Sequence, residues 1–282
     1  MRLSTVKIAG RTTWGVIEGE TFRDAGAVLA GRYADLKAAV TAGFEGVADA
    51  AENAAAFPLS EIEWLPVIPN PDKILCVGLN YEMHRKETGR AEVENPTIFA
   101  RYSNSQTGHL KPIIRPKVST ELDYEGELAV IIGKPGRYIS REDALGHIAG
   151  FACYNDGSVR DYQRHTHQFT PGKNFPDTGA FGPWMMTPDE LGPLDALRIQ
   201  TRLNGDVVQD ATFAQMIFDI ARQIEYCSSF TRLEAGDVIA SGTPGGVGAK
   251  RNPPLWMKPG DIVEVEIDRL GTLRNPITDE QG

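Results

Sequence analysis

Asp123-Tyr124-Glu125-Gly126-Glu127-Leu128-Ala129-Val130-Ile131-Ile132-Gly133 is the stretch on which the reading of this chain turns. Its second half, Leu128 to Ile132, is a continuous apolar run closed by glycine, the pattern of a strand buried on both faces. Its first half sets Glu125 and Glu127 two residues apart, and side chains with that spacing share one face of a strand. Two carboxylates side by side at the mouth of a buried strand repel each other and lose hydration. One bound divalent cation lowers both costs. An all-oxygen ligand set suits a hard ion such as Mg2+, Mn2+ or Ca2+ better than zinc. The spacing alone equally describes a solvated strand end with two free glutamates.

Working outward, Gly150 to Tyr154 is another apolar run, and it delivers Asn155-Asp156-Gly157 at a strand end, where a third acid can join the first two. Arg160 and Gln163 follow, three apart and on one face if that piece is helical. Upstream, Lys73 to Leu79 reads as a buried strand leading into the polar segment Met83 to Glu94. On a helix His84 and Glu87 would share a face. A carboxylate beside an imidazole fixes its tautomer and raises its basicity, which makes a general base for water. An incidental pair on a solvated helix fits the spacing as well. Lys173 lies in a loop rich in proline and glycine, as an oxyanion donor or as a solvated lysine.

Taken together, several motifs resemble the fumarylacetoacetate hydrolase family. They are Val77-Gly78-Leu79-Asn80-Tyr81 with His84 and Glu87, Glu125-x-Glu127, Asp156, Arg160-Asp161-x-Gln163, Gly172-Lys173-Asn174-Phe175, and Ser241-Gly242-Thr243-Pro244-x-Gly246-Val247-Gly248. They occur in family order from about Asp72 onward. The resemblance implies a β-rich α+β fold, a rolled mixed β-sandwich, assembled as a homodimer. It also implies a divalent ion, Mg2+ or Mn2+ with Ca2+ as an alternative, on Glu125, Glu127 and Asp156. His84 and Glu87 would activate water under a lid, and Lys173, Arg160 and Gln163 would support an oxyanion. The expected reaction is hydrolysis of a C–C bond in a 2,4-diketo acid of the acylpyruvate or fumarylpyruvate type, through a metal-stabilised enolate that leaves as pyruvate. Such an enzyme belongs to the catabolism of aromatic compounds or sugar acids. The same enolate serves oxaloacetate decarboxylation or isomerisation and hydration of a dienoic keto acid, which are the alternatives. A structural Ca2+ site on the three acids is the non-enzyme reading, and the presence of His84, Glu87 and Lys173 counts against it.

The sequence departs from the family in two places. The loop Arg101 to His109 lacks the usual Lys-Pro, so Arg101 or Tyr102 is expected at the distal part of the substrate. The threonine common four residues after the lysine is replaced by Asp177, with Thr178 one place later. The glycine-rich loop after Ser241 is not a P-loop; its N–H groups and the Thr243 hydroxyl are expected to hold a substrate carboxylate.

At 282 residues and net charge −9, the chain has room for one large core, and its charge argues against a nucleic-acid partner. No apolar run approaches a membrane span, and Cys76, Cys153 and Cys227 are sparse and unpaired in spacing. The expectation is a reduced, cytoplasmic protein acting on a small keto acid. Residues 1–70 are expected to form a small N-terminal domain, with strands over 3–8, 13–17 and 21–22 and broken helix over 34–56. Residues 71–282 form the catalytic part. Asn204-Gly205 predicts a two-residue hairpin. The spacing of Phe213, Met216, Ile217, Ile220, Ile224 and Cys227 predicts a helix over 213–227. Ser140 and Asp143 predict a cap for a helix over 141–148. His165 and His167 read as a polar loop, since no other ligand joins them.

Overall fold

The strand Gly126–Ile132 is buried at every position, and its alternation feeds two cores. Leu128, Val130 and Ile132 point into one cluster; Ala129 and Ile131 point into the other. A strand with apolar residues on both faces belongs in the middle of a sheet covered on both sides. The computed structural model, which describes residues 1–281, places it there.

The large sheet has 12 strands, with the main path running from Ala56–Pro58 through the N-terminal strands to Gly179–Met186. It continues through Ile148–Asn155, Gly126–Ile132, Val238–Ala240 and Ile74–Gly78, and ends on Thr97–Arg101. Most neighbours are antiparallel, but Ile74–Gly78 lies parallel to Val238–Ala240. A five-stranded sheet covers one face and shares its core through Ile199, Val263, Val265 and Leu273. Its last strand, Gly271–Asp279, runs parallel to Ile113–Arg115. The opposite face is covered by short helices, Leu36–Thr41 and Val47–Glu52, which contribute Leu36, Val40 and Ala50 to the second core. The fold is β-rich α+β, two packed sheets with helices at the periphery.

The N-terminal strands Arg2–Ile8, Arg11–Glu18 and Thr21–Arg23 form as the turns at Gly10 and Gly19 dictate. Arg2 and Leu3 pair with Met186 and Met185, so this hairpin extends the large sheet. The Asn204-Gly205 turn joins Arg198–Leu203 to Asp206–Thr212. Two helix expectations are corrected. Over 213–227 the chain makes a 3-10 turn, Phe213–Gln215, and the helix proper is Ile220–Phe230. Asn80 is the reason: its carbonyl takes the Ile217 N–H at 2.8 Å, and its side chain takes the Phe218 N–H at 2.8 Å. The helix then starts at Asp219, whose carboxylate caps the Arg222 N–H. Over 141–148 there is only the 3-10 turn Ala144–His147; Ser140 and Asp143 bond each other rather than a helix end. Among the described residues no helix is long and apolar enough to cross a membrane.

Candidate active site

The antiparallel register that pairs Gly126 with Asn155 brings two strand ends together. Glu125 sits just before one strand and Asp156 just after the other, and the Asp156 N–H donates to the Glu125 carbonyl at 2.8 Å. Glu125, Glu127 and Asp156 are all buried, with one carboxylate oxygen of each lying within 4.8 Å of the others. They form the floor of a cavity of about 840 Å³ that also takes in His84, Arg160, Gln163, Lys173 and Thr243.

Cations compensate the floor unevenly. The Lys173 ammonium, buried at the end of the short helix Thr170–Lys173, donates to Glu125 Oε2 and Asp156 Oδ2, each at 2.6 Å. Arg160 donates from Nη2 to Glu125 Oε1 at 2.5 Å, from Nη1 to Gln163 Oε1 at 2.8 Å and from Nε to Asp123 Oδ2 at 2.8 Å. Glu127 receives only a backbone N–H, from Gly242 at 2.9 Å, and has no basic side chain within ion-pair distance among the described residues. Burial works to push both glutamates up. For Glu125 the Arg160 and Lys173 cations outweigh burial and hold it well below the usual range. For Glu127 the Asp156 and Glu125 charges add to burial, and it stands well above that range. Burial works against the Lys173 ammonium, but Asp156 and Glu125 more than offset it and raise its pKa. A cluster of oxygen donors that leaves one buried carboxylate uncompensated fits a hard divalent cation. The three acids would be its ligands.

His84 is buried on the helix Glu82–Thr88, and its Nδ1 lies 2.7 Å from Glu87 Oε1. A carboxylate only accepts, so Nδ1 carries a proton, and in the neutral imidazole the lone pair is then on Nε2. The other Glu87 oxygen accepts the Gly246 N–H at 3.0 Å. Gly246 has φ +102°, and a Cβ there would sit 2.3 Å from the Val208 carbonyl, so glycine is required. The glycine-rich loop thus binds carboxylates, but they are the protein's own: Glu127, Glu87 and Asp123. The Thr243 hydroxyl is likewise engaged, donating to the Gly126 carbonyl at 3.0 Å and accepting from Gln209 at 2.8 Å.

The expected distal contacts are placed elsewhere. Arg101 is buried beneath the floor, where it donates to Asp156 Oδ1 at 2.5 Å, to the Gly157 carbonyl at 2.9 Å and to Thr178 Oγ1 at 3.0 Å. It does not line the cavity, and neither does Tyr102, which is exposed. Thr178 serves Arg101 rather than a ligand. His165 and His167 sit in an exposed loop at the cavity mouth. Sequence reasoning overlooked Asp123. It is fully buried, holds Arg160, and accepts the Gly248 and Ala249 N–H groups at 2.8 and 2.9 Å. Its two-residue spacing from Glu125 was the available signal.

The chain is similar to a mitochondrial oxaloacetate tautomerase from Bos taurus, 40% identical over 222 residues, 78% of this chain and 71% of that one. A fumarylacetoacetate hydrolase from the psychrophile Exiguobacterium antarcticum superposes with a TM-score of 0.88 at 34% identity, covering 99% of this chain and all of that one. A maleylpyruvate hydrolase from Sphingobium sp. SYK-6, in complex with manganese(II) and pyruvate, gives 0.83 at 27% identity over the whole of both chains. Residues 73–278 match the model of the C-terminal part of fumarylacetoacetate (FAA) hydrolase, and the chain belongs to the fumarylacetoacetate hydrolase family.

Proposed function

We propose that this chain is a divalent-metal-dependent enzyme that enolises a 2-oxo acid, and that keto–enol tautomerisation of oxaloacetate or a close analogue is its reaction. The observation that carries the reading is the joining, in one cavity, of the acidic floor and the His84–Glu87 pair. The 40% identity to an oxaloacetate tautomerase supports tautomerisation among the enolate chemistries. When bound by Glu125, Glu127 and Asp156, a divalent cation supplies charge stabilisation to the enolate oxygen and the neighbouring carboxylate of such a substrate. His84 Nε2 takes the proton from C3 of the keto acid, the enolate oxygen takes a proton from solvent to give the enol while the imidazolium releases its own to solvent, and the reverse sequence returns a proton to C3. Glu87 holds the ring and stabilises the imidazolium formed meanwhile. Lys173 holds Glu125 and Asp156, and Arg160 holds Glu125, which orients both carboxylates.

A second reading, hydrolysis of an acylpyruvate, is favoured by the whole-chain likeness to a maleylpyruvate hydrolase. In that case the same His84 lone pair would act on water. Homodimeric assembly and a cytoplasmic location remain parts of this proposal. The test follows ketonisation of enol-oxaloacetate by absorbance and pyruvate release from an acylpyruvate panel, in Mg2+ and in excess chelator. Accelerated ketonisation that is lost in chelator and in His84→Ala, without pyruvate formation, supports the tautomerase. Metal-dependent pyruvate release from a diketo acid selects the hydrolase instead. Pyruvate from oxaloacetate that survives His84→Ala marks a decarboxylase in which His84 is not the base.

A further inference from the structure

The two glutamates of the floor are joined by a single residue, Gly126, which opens the strand Gly126–Ile132. The next strand in the sheet does not reach it. Val238–Ala240 pairs with Ala129, Val130 and Ile131, and the Ser241 N–H closes that ladder on the Leu128 carbonyl. A buried backbone group without a strand partner needs another. Side chains supply both. Gln209 Oε1 accepts the Gly126 N–H at 2.9 Å, and the Thr243 hydroxyl donates to the Gly126 carbonyl at 3.0 Å. Gln209 Nε2 then donates to Thr243 Oγ1 at 2.8 Å and to the Pro244 carbonyl at 2.9 Å.

The ring of Gly126, Gln209 and Thr243 runs in one sense. A backbone N–H only donates and a carbonyl only accepts, so the Gln209 amide has one orientation. Its Nε2 gives a proton to Thr243 Oγ1, which leaves the hydroxyl proton for Gly126. Gln209 is 2% exposed and comes from the other sheet, on Asp206–Thr212 directly opposite Thr201. Gly126 is pressed onto that pair: a Cβ there would sit 2.1 Å from Thr201 Oγ1, so only glycine allows the approach. Gln209 thus fixes the Glu125–Gly126 peptide plane directly, and through Thr243 it fixes the Gly126–Glu127 plane. Next to Thr243, Gly242 donates its N–H to Glu127 Oε2 at 2.9 Å, so the same ring steadies Glu127 from a second side.

From this we infer that Gln209 is a positioning residue for the metal floor: it sets the two peptide planes between Glu125 and Glu127, and with them the spacing at which both carboxylates meet one ion. The inference rests on the metal-dependent reading above and deepens it, because hydrogen bonds behind the ligands carry part of a site's affinity. Gln209 does not line the cavity, so its effect passes through Gly126, Thr243 and Gly242.

The test reads metal binding rather than turnover. Protein freed of metal by chelator is titrated with Mn2+, and the free ion is counted from its electron paramagnetic resonance signal. Wild type should bind the ion, and Glu127→Gln should lose it. Gln209→Met, similar in shape but without the amide, should raise the dissociation constant about tenfold or more and alter the bound-ion spectrum while still melting cooperatively. Thr243→Val should do the same, and Thr243→Ser, which keeps the hydroxyl, should restore wild-type affinity. Asn275→Leu is the control. It removes another buried amide of the five-stranded sheet, one bonded to the Gly108 and Lys111 carbonyls, and none of these three residues lines the cavity. It should lower the melting temperature without moving Mn2+ affinity. Wild-type affinity in folded Gln209→Met and Thr243→Val overturns the assignment alone, as does an equal loss in Asn275→Leu. Should Gln209→Met not melt cooperatively, the Thr243→Val and Thr243→Ser pair decides by the same criteria. No Mn2+ binding by wild type overturns the metal-dependent reading as well.

Discussion

Asp156 uses both carboxylate oxygens on cations, Arg101 on Oδ1 and Lys173 on Oδ2, and all three side chains are buried. Removing one member of such a set leaves a desolvated charge, which costs about 3 to 5 kcal/mol. Arg101→Met should therefore lower unfolding stability by that amount in urea titration; a loss below about 1 kcal/mol would show that Asp156 is not dependent on it. The sequence placed Arg101 at the substrate because a polar loop follows it. Its direction is set instead by Thr178 and Gly157, which lie far along the chain and give no local signal. Glu125, Glu127, Asp156, His84 and Lys173 were legible because their types and spacings mean little except together. A second residue-scale prediction concerns His109, whose Nδ1 accepts the Arg274 N–H at 3.1 Å while Trp64 packs on its ring. Burial, aided by the Arg274 charge, pulls its pKa from 6.5 down to about 4. The unfolded chain takes up this proton first, so the contribution is whole above pH 6.5 and fades as pH falls toward 4. The loss reaches at most about 3 kcal/mol. His109→Gln should flatten the acid limb of a melting-temperature profile; an unchanged limb would assign it to other groups.

At the scale of elements, the segment Ser241 to Lys250 is neither strand nor helix for most of its length, yet it sets the site. It supplies N–H donors to Glu127, Glu87 and Asp123, which belong to three different parts of the site. Gly248→Ala would drive a methyl group against the Leu255 carbonyl and Asp123 Oδ1. It should cost about 1 to 3 kcal/mol by overpacking and lower activity at least tenfold by moving the Asp123–Arg160 pair. Retained activity would mean that the turn shifts without carrying Asp123 along. Such roles are illegible in sequence, since a backbone N–H belongs to every residue type except proline. The helix expected from Phe213 was misplaced for a related reason. Asn80, remote in sequence, captures the two N–H groups that a helix there would need, and Asp219 was the local mark of its true start.

For the whole molecule, the strands were legible from apolar runs and turn residues, but the continuity of the large sheet was not. Pairing of Arg2–Ile8 with Gly179–Met186 is a contact between remote segments that no local pattern specifies. One core includes Leu3, Trp14 and Leu36 alongside Ile74, Ala129 and Phe181. A chain beginning at Asp72 would expose that core and the edge of Gly179–Met186, so it should be aggregation-prone and lack a cooperative melt. A soluble, cooperatively melting fragment would show instead that residues 71–282 fold independently. The parallel pairings carry a consequence for the order of events during synthesis. Ile74–Gly78 leaves the ribosome early, yet its neighbour Val238–Ala240 emerges only when most of the chain has been made, and Ile113–Arg115 must wait for Gly271–Asp279. The early strands therefore travel with unsatisfied edges, and the acidic floor cannot close before translation is almost complete. Nascent chains of this protein should depend on holdase protection more than chains whose contacts are local.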